Sequence, residues 1–127
     1  MTGPRILVVD DDPDILELIE YKLRGLGYEV HTRVDGEQGL DAARSLHPAL
    51  VLLDWMMPGR NGIEVLEAVR ADPDVDVART PVLVVTARSQ PEDLARVESA
   101  GANGYLSKPF SMRELADRVA AEVGPAA

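Results

Sequence analysis

Four segments of this chain run apolar and then stop on a reactive polar residue: Ile6 to Val9 into Asp10-Asp11, Leu50 to Leu53 into Asp54, Val82 to Val85 into Thr86, and Gly104 to Ser107 into Lys108. The first three are unbroken Val/Leu/Ile runs, the composition of strands covered on both faces, and hence of a parallel sheet. Strands that all point the same way end at one edge. That edge gathers three carboxylates, a hydroxyl and an ammonium, and in open α/β sheets ligands bind outside the carboxyl ends of the strands.

Strand patterns at about 5–10, 28–33, 49–54, 81–86 and 104–107 alternate with helical patterns at about 14–26, 36–46, 62–71, 91–100 and 111–123. The result is a (βα)5 rhythm. The second strand, Tyr28 to Arg33, is the more polar and reads as a sheet edge. Ile15, Leu16, Ile19, Leu23 and Leu26 form one stripe on the first helix, and Leu115, Val119 and Val123 form another on the last; both read as core packing. Pro13 suits a first helical turn, Gly27 follows the first helix, Pro91-Glu92-Asp93 places acid at a helix start, and Gly124-Pro125 closes the final helix.

A length of 127 residues suits one domain. No apolar run is long enough to span a bilayer, and the N-terminus lacks the layout of a signal peptide. With no cysteine there is no disulfide framework or thiolate metal site, and a cytoplasmic location is the expectation. The net charge is −9 with Lys and Arg scattered, which argues against direct nucleic-acid contact by this domain and offers nothing to a membrane. Acid is crowded at Asp10-Asp11-Asp12 and again at Asp54. Two like charges at ~4 Å repel by about 4 kcal/mol at an effective dielectric near 20, so a cation is the natural remedy.

Taken together, Val9-Asp10-Asp11, Leu53-Asp54-Trp55-Met56-Met57-Pro58-Gly59 with Gly62, Val85-Thr86-Ala87, and Gly101 to Phe110 with its Lys108-Pro109 resemble the motifs of response-regulator receiver domains (the CheY-like superfamily) of two-component signalling. The separations, 43 residues from Asp11 to Asp54, 32 to Thr86 and 22 to Lys108, each leave room for an intervening helix and strand. The resemblance covers nearly the whole chain. It implies a flavodoxin-like, doubly wound, five-stranded parallel sheet in the order 2-1-3-4-5, a single receiver domain over residues 1–127, and no effector domain.

It also implies a phosphoacceptor switch rather than a turnover enzyme. Asp54 would take a phosphoryl group from a histidine kinase or phosphotransfer protein and slowly hydrolyse its own aspartyl phosphate. Mg²⁺, for which Mn²⁺ can substitute, would sit on Asp11, Asp54 and the Met56 backbone carbonyl, with Asp10 acting mainly through water. Such a donor set suits a hard ion that keeps several waters. Lys108 would bring a point charge and Thr86 a hydroxyl donor to the phosphate oxygens.

Thr86 and Tyr105 are the implied switch pair, and Met56 and Arg88 the positions that tune phosphoryl lifetime. Arg88 could reach toward the phosphate or point to solvent. The helix at 91–100, the strand at 104–107 and the helix at 111–123 would form the output face, open to a target protein, a missing output domain or a second copy of the chain. Lys108-Pro109 would be cis, with Phe110 anchoring the turn.

Taken singly, each residue has a plainer reading: Asp10 to Asp12 as a helix cap, Asp54 as a turn residue, Thr86 as a strand-end hydroxyl, Lys108 as a solvated cation. These fail jointly, because four accidents would have to fall on one sheet edge. For Asp12 and Asp14 the capping role suffices. His31 and His47 fit no metal spacing and receive no role; Met56-Met57 shapes a pocket rim, and Trp55 lies beside the site as a fluorescent reporter. Two alternatives remain: a Mg²⁺-dependent phosphohydrolase with Asp10 as nucleophile, disfavoured by Pro13 and the second aspartate at Asp54, and a degenerate receiver that only binds protein, disfavoured because the polar set is complete.

Overall fold

The computed structural model describes residues 3–126. Strand β1 (Arg5–Val9) leads through helix α1 (Pro13–Gly25) to β2 (Glu29–Arg33), and α2 (Gly36–Leu46) leads to β3 (Leu50–Asp54). Two helices, α3 (Gly62–Arg70) and the single turn α4 (Val75–Ala78), precede β4 (Val82–Thr86). Helix α5 (Pro91–Ser99), β5 (Gly104–Ser107) and α6 (Met112–Val123) complete the chain.

All five strands are parallel, in the order β2-β1-β3-β4-β5. The polar second strand is an edge, as its composition predicts. Alternation along the strands feeds two cores. Leu7, Val9, Val51, Leu53, Val82 and Val84 pack with residues of α2, α3 and α5. Ile6, Val8, Leu50, Leu52, Leu83 and Val85 pack with Leu16, Ile19 and Leu23 of α1 and with Leu115 and Val119 of α6. Helices therefore cover both faces, and the side chains of β3 and β4 are buried throughout. This explains why those runs show no polar alternation.

Each helix start carries local chemistry. Asp12 caps α1 by accepting from the Asp14 N–H, with Pro13 in the first turn. Asn61 with Glu64 and Ser111 with Glu114 form reciprocal capping boxes on α3 and α6. Two details depart from the sequence reading. Leu26 does not join the buried stripe of α1: it is the C-cap residue and remains 42% exposed, because the chain turns away at Gly27 with φ of 102°. Helix α4 has no counterpart in the sequence pattern, since one turn capped by Asp74 and anchored by Val77 is too short to show a period.

Candidate functional site

The strand order reverses beside β1, whose neighbours are β2 and β3, and the acidic crevice opens at that point. Asp10 leaves β1 with its backbone N–H still donating to the Arg33 carbonyl, and its Oδ1 accepts from the Asp12 N–H at 2.8 Å. Asp54 is the last residue of β3. The ladder continues one step further through the Trp55 N–H to the Val85 carbonyl, and the Gly62 N–H then returns to the Trp55 carbonyl. A Cβ at Gly62 would lie 2.3 Å from the Asp54 carbonyl oxygen, so only glycine lets α3 begin this close to the strand end.

Asp10, Asp11 and Asp54 bring carboxylate oxygens within 4.8 Å of one another. Asp10 and Asp54 are buried, while Asp11 is exposed. Lys108 enters from the end of β5, where its backbone N–H donates to the Thr86 carbonyl at 2.8 Å. Its ammonium donates to Asp54 Oδ1 at 3.2 Å and stands 3.7 Å from Asp10 Oδ2. Lys108-Pro109 is cis, as the resemblance implies, and Phe110 packs against the α1/α6 core.

The electrostatics follow from one cation serving two buried acids. Burial, then the neighbouring Asp10 charge, pushes the Asp54 carboxyl up to about 6 despite Lys108. Burial also raises Asp10, opposed by its backbone hydrogen bond and by Lys108. For Lys108 burial acts to lower the pKa, but the charges of Asp54 and Asp10 prevail and raise it. The crevice is short of positive charge. A divalent ion fits this donor set, since three carboxylates converge, two of them against their solvation preference, and hard oxygen ligands match Mg²⁺.

Thr86 is 1% exposed, and its Oγ1 accepts from the Arg88 N–H at 2.8 Å. Tyr105 lies on the adjacent strand in register with Val84, two residues before the partner of Thr86, and is 37% exposed. Met56 is exposed at the rim and Met57 is buried in the core, while Trp55 is buried immediately after Asp54. Arg88 is engaged rather than free: its guanidinium pairs with Asp93 at 2.8 Å and lies over the Trp55 ring, 4.6 Å from the centroid. Asp93 reads from sequence only as helix-start acid. Its signal was the i, i+5 spacing from Arg88 across a helix N-terminus, which no periodicity picks out. His31 pairs with Glu29, and His47 ends α2 in the left-handed conformation, φ 47°, both away from the crevice.

Fold and crevice together define a doubly wound α/β domain with an acidic, lysine-countered site at its topological switch point. The family model described as the response regulator receiver domain matches residues 6–120, and the chain belongs to that family, the receivers of two-component signalling. It is 44% identical over 119 residues to the DNA-binding response regulator MtrA of Mycolicibacterium smegmatis, covering 94% of this chain and 50% of that protein. To the transcriptional regulatory protein PrrA of Mycobacterium bovis it is 46% identical over 122 residues, 95% of this chain and 50% of the relative.

The chain thus spans about half the length of these curated relatives. Among solved structures it superposes on the receiver domain of sensor histidine kinase PA1611 of Pseudomonas aeruginosa, which holds a magnesium ion in its active-site cleft, with TM-score 0.87 and 32% identity over 97% of this chain and 99% of the other. Chemotaxis protein CheY4 of Vibrio cholerae gives TM-score 0.88 and 30% identity over 95% and 99%. Response regulators are signalling proteins, generally not turnover enzymes. Among the described residues no helix is long and apolar enough to cross a membrane.

Proposed function

We propose that Asp54 is the phosphoacceptor of this receiver, taking a phosphoryl group from the phosphohistidine of a kinase or phosphotransfer protein. The observation that carries this reading is the buried Asp54 carboxylate at the end of β3, with the Lys108 ammonium at 3.2 Å and two further carboxylates alongside. An Asp54 oxygen attacks phosphorus, the P–N bond of the donor breaks as the P–O bond forms, and the imidazole leaves with a proton. The protein's share is placement and charge. Lys108 approaches the transferred oxygens, and Thr86 turns its hydroxyl proton toward them while still accepting from the Arg88 N–H.

Asp10, Asp11, Asp54 and the Met56 carbonyl would hold Mg²⁺, or Mn²⁺ in its place, which when bound would supply positive charge against the phosphoryl oxygens. The acyl phosphate is removed by slow self-hydrolysis, at a rate set in part by Met56 and Arg88. A phosphoryl group brings roughly −1.5 to −2 charge at neutral pH. That charge recruits Thr86 and Lys108, shifts Tyr105, and changes the face built from α5, β5 and α6. The face then acts on a target protein, on an output domain outside this stretch of chain, or on a second copy, in the cytoplasm and without direct nucleic-acid contact by the receiver.

Intact-protein mass after incubation with Mg²⁺ and acetyl phosphate tests this. Wild type is expected to gain one phosphoryl group and Asp54→Asn none. A gain in both would move the acceptor elsewhere.

A further inference from the structure

Arg88 is ion-paired to Asp93, a residue for which the phosphoryl chemistry above has no use. Helix α5 is largely solvated, and its buried positions are Val97 and Asp93, the latter 8% exposed. A buried carboxylate is costly unless paired, and here the partner is Arg88 Nη2 at 2.8 Å. The same guanidinium lies on the Trp55 ring, and the Arg88 backbone N–H holds the Thr86 hydroxyl oxygen. Arg88 therefore touches the first turn of α5, the residue that follows Asp54, and the hydroxyl of the site. Among the described residues Lys108, not Arg88, is the cation paired with Asp54.

Resting on the assignment of Asp54 as acceptor, we propose that Asp93 is a positioning residue: it holds Arg88 flat on Trp55, and the fixed guanidinium closes the β4 side of the crevice against water. The lifetime of the aspartyl phosphate is then set by Arg88 as Asp93 places it, not by the identity of Arg88 alone. The pair also joins the acceptor end of β3 to the start of α5, an element of the output face.

Two readouts test this on the intact chain: acrylamide quenching of Trp55 in the unphosphorylated protein, and decay of the acetyl-phosphate-loaded form by intact mass. Releasing a cation from an aromatic face changes its occupancy by about two- to fivefold, and Asp93→Asn is expected to speed decay by that factor and to raise quenching to the level of Arg88→Ala. Asp93→Glu should return both toward wild type. The double variant Arg88→Ala/Asp93→Asn should match Arg88→Ala alone, because Asp93 acts through Arg88; a merely structural role in α5 would give additive losses. Asp93→Asn with wild-type quenching and decay, or additive behaviour in the double variant, would overturn the proposal. Wild type that takes up no phosphoryl group sinks the acceptor assignment instead, and the quenching cycle still decides whether Asp93 holds Arg88 on Trp55.

Discussion

Replacing Asp54 by Asn should stabilise the metal-free protein, and by an amount that depends on pH. Burial and the Asp10 charge raise the Asp54 carboxyl from 3.8 to about 6 in the folded state. The unfolded chain therefore releases this proton first, and between about pH 4 and 6 stability falls as pH rises. Two decades of proton affinity at about 1.36 kcal/mol each give about 3 kcal/mol of destabilisation fully present at neutral pH. Asn keeps the shape of the protonated acid without its charge. The expected gain is thus about 3 kcal/mol near pH 7.5, falling to about 1 kcal/mol near pH 4.5, where the folded carboxyl is still almost wholly protonated and little of the interval between the two values has been crossed. Urea unfolding in EDTA, followed by Trp55 fluorescence on wild type and Asp54→Asn at both pH values, measures it. Added Mg²⁺ should stabilise wild type more than the variant and narrow the gap. A variant no more stable than wild type at pH 7.5, or a gain that ignores pH, would refute the claim that Asp54 is held ionised against its environment.

Lys108→Ala removes the cation shared by Asp10 and Asp54, and phosphoryl uptake from acetyl phosphate should slow by about 100-fold or more in a time course by intact mass. Arg70 donates to the carbonyls of Gly101, Ala78 and Thr80 and to Asn103 Oδ1, tying α3 to the approaches of β4 and β5. Arg70→Met should cost about 3 kcal/mol in urea unfolding, since three partly buried carbonyls lose their donor, while phosphoryl uptake in the folded fraction persists. Gly62→Ala drives a methyl against the Asp54 carbonyl; the expected loss is about 1–3 kcal/mol of stability together with slower uptake, because the acceptor's own backbone must move.

Features written in local chemistry were legible without coordinates. Continuous apolar runs identified β1, β3 and β4 as buried parallel strands, the polar run at Glu29–Arg33 identified an edge, and Asp12 with Pro13 marked the start of α1. The site was legible because a parallel sheet places all strand ends on one side, so four separate sequence positions converge by topology alone. Features that depend on which way one side chain leans were not legible. Arg88 carries equal weight in sequence as a phosphate ligand or a solvated cation, and its choice of Asp93 and Trp55 is decided by the turn between β4 and α5. Leu26 fits the stripe of α1 by spacing, yet the helix ends one residue too soon to bury it. The hub at Arg70 escapes for the same reason: its acceptors are main-chain carbonyls, which no sequence pattern marks.

Chemical mapping of the acyl phosphate tests the acceptor assignment most directly. Borohydride reduces an aspartyl phosphate to homoserine, leaving a permanent mark at the modified position, which peptide mass spectrometry then reads. After acetyl phosphate, Mg²⁺ and borohydride, homoserine at position 54, and unmodified Asp10 and Asp11, is the expected result. Homoserine at Asp10 or Asp11 in place of Asp54 would contradict the assignment and return Asp10 to candidacy as the nucleophile.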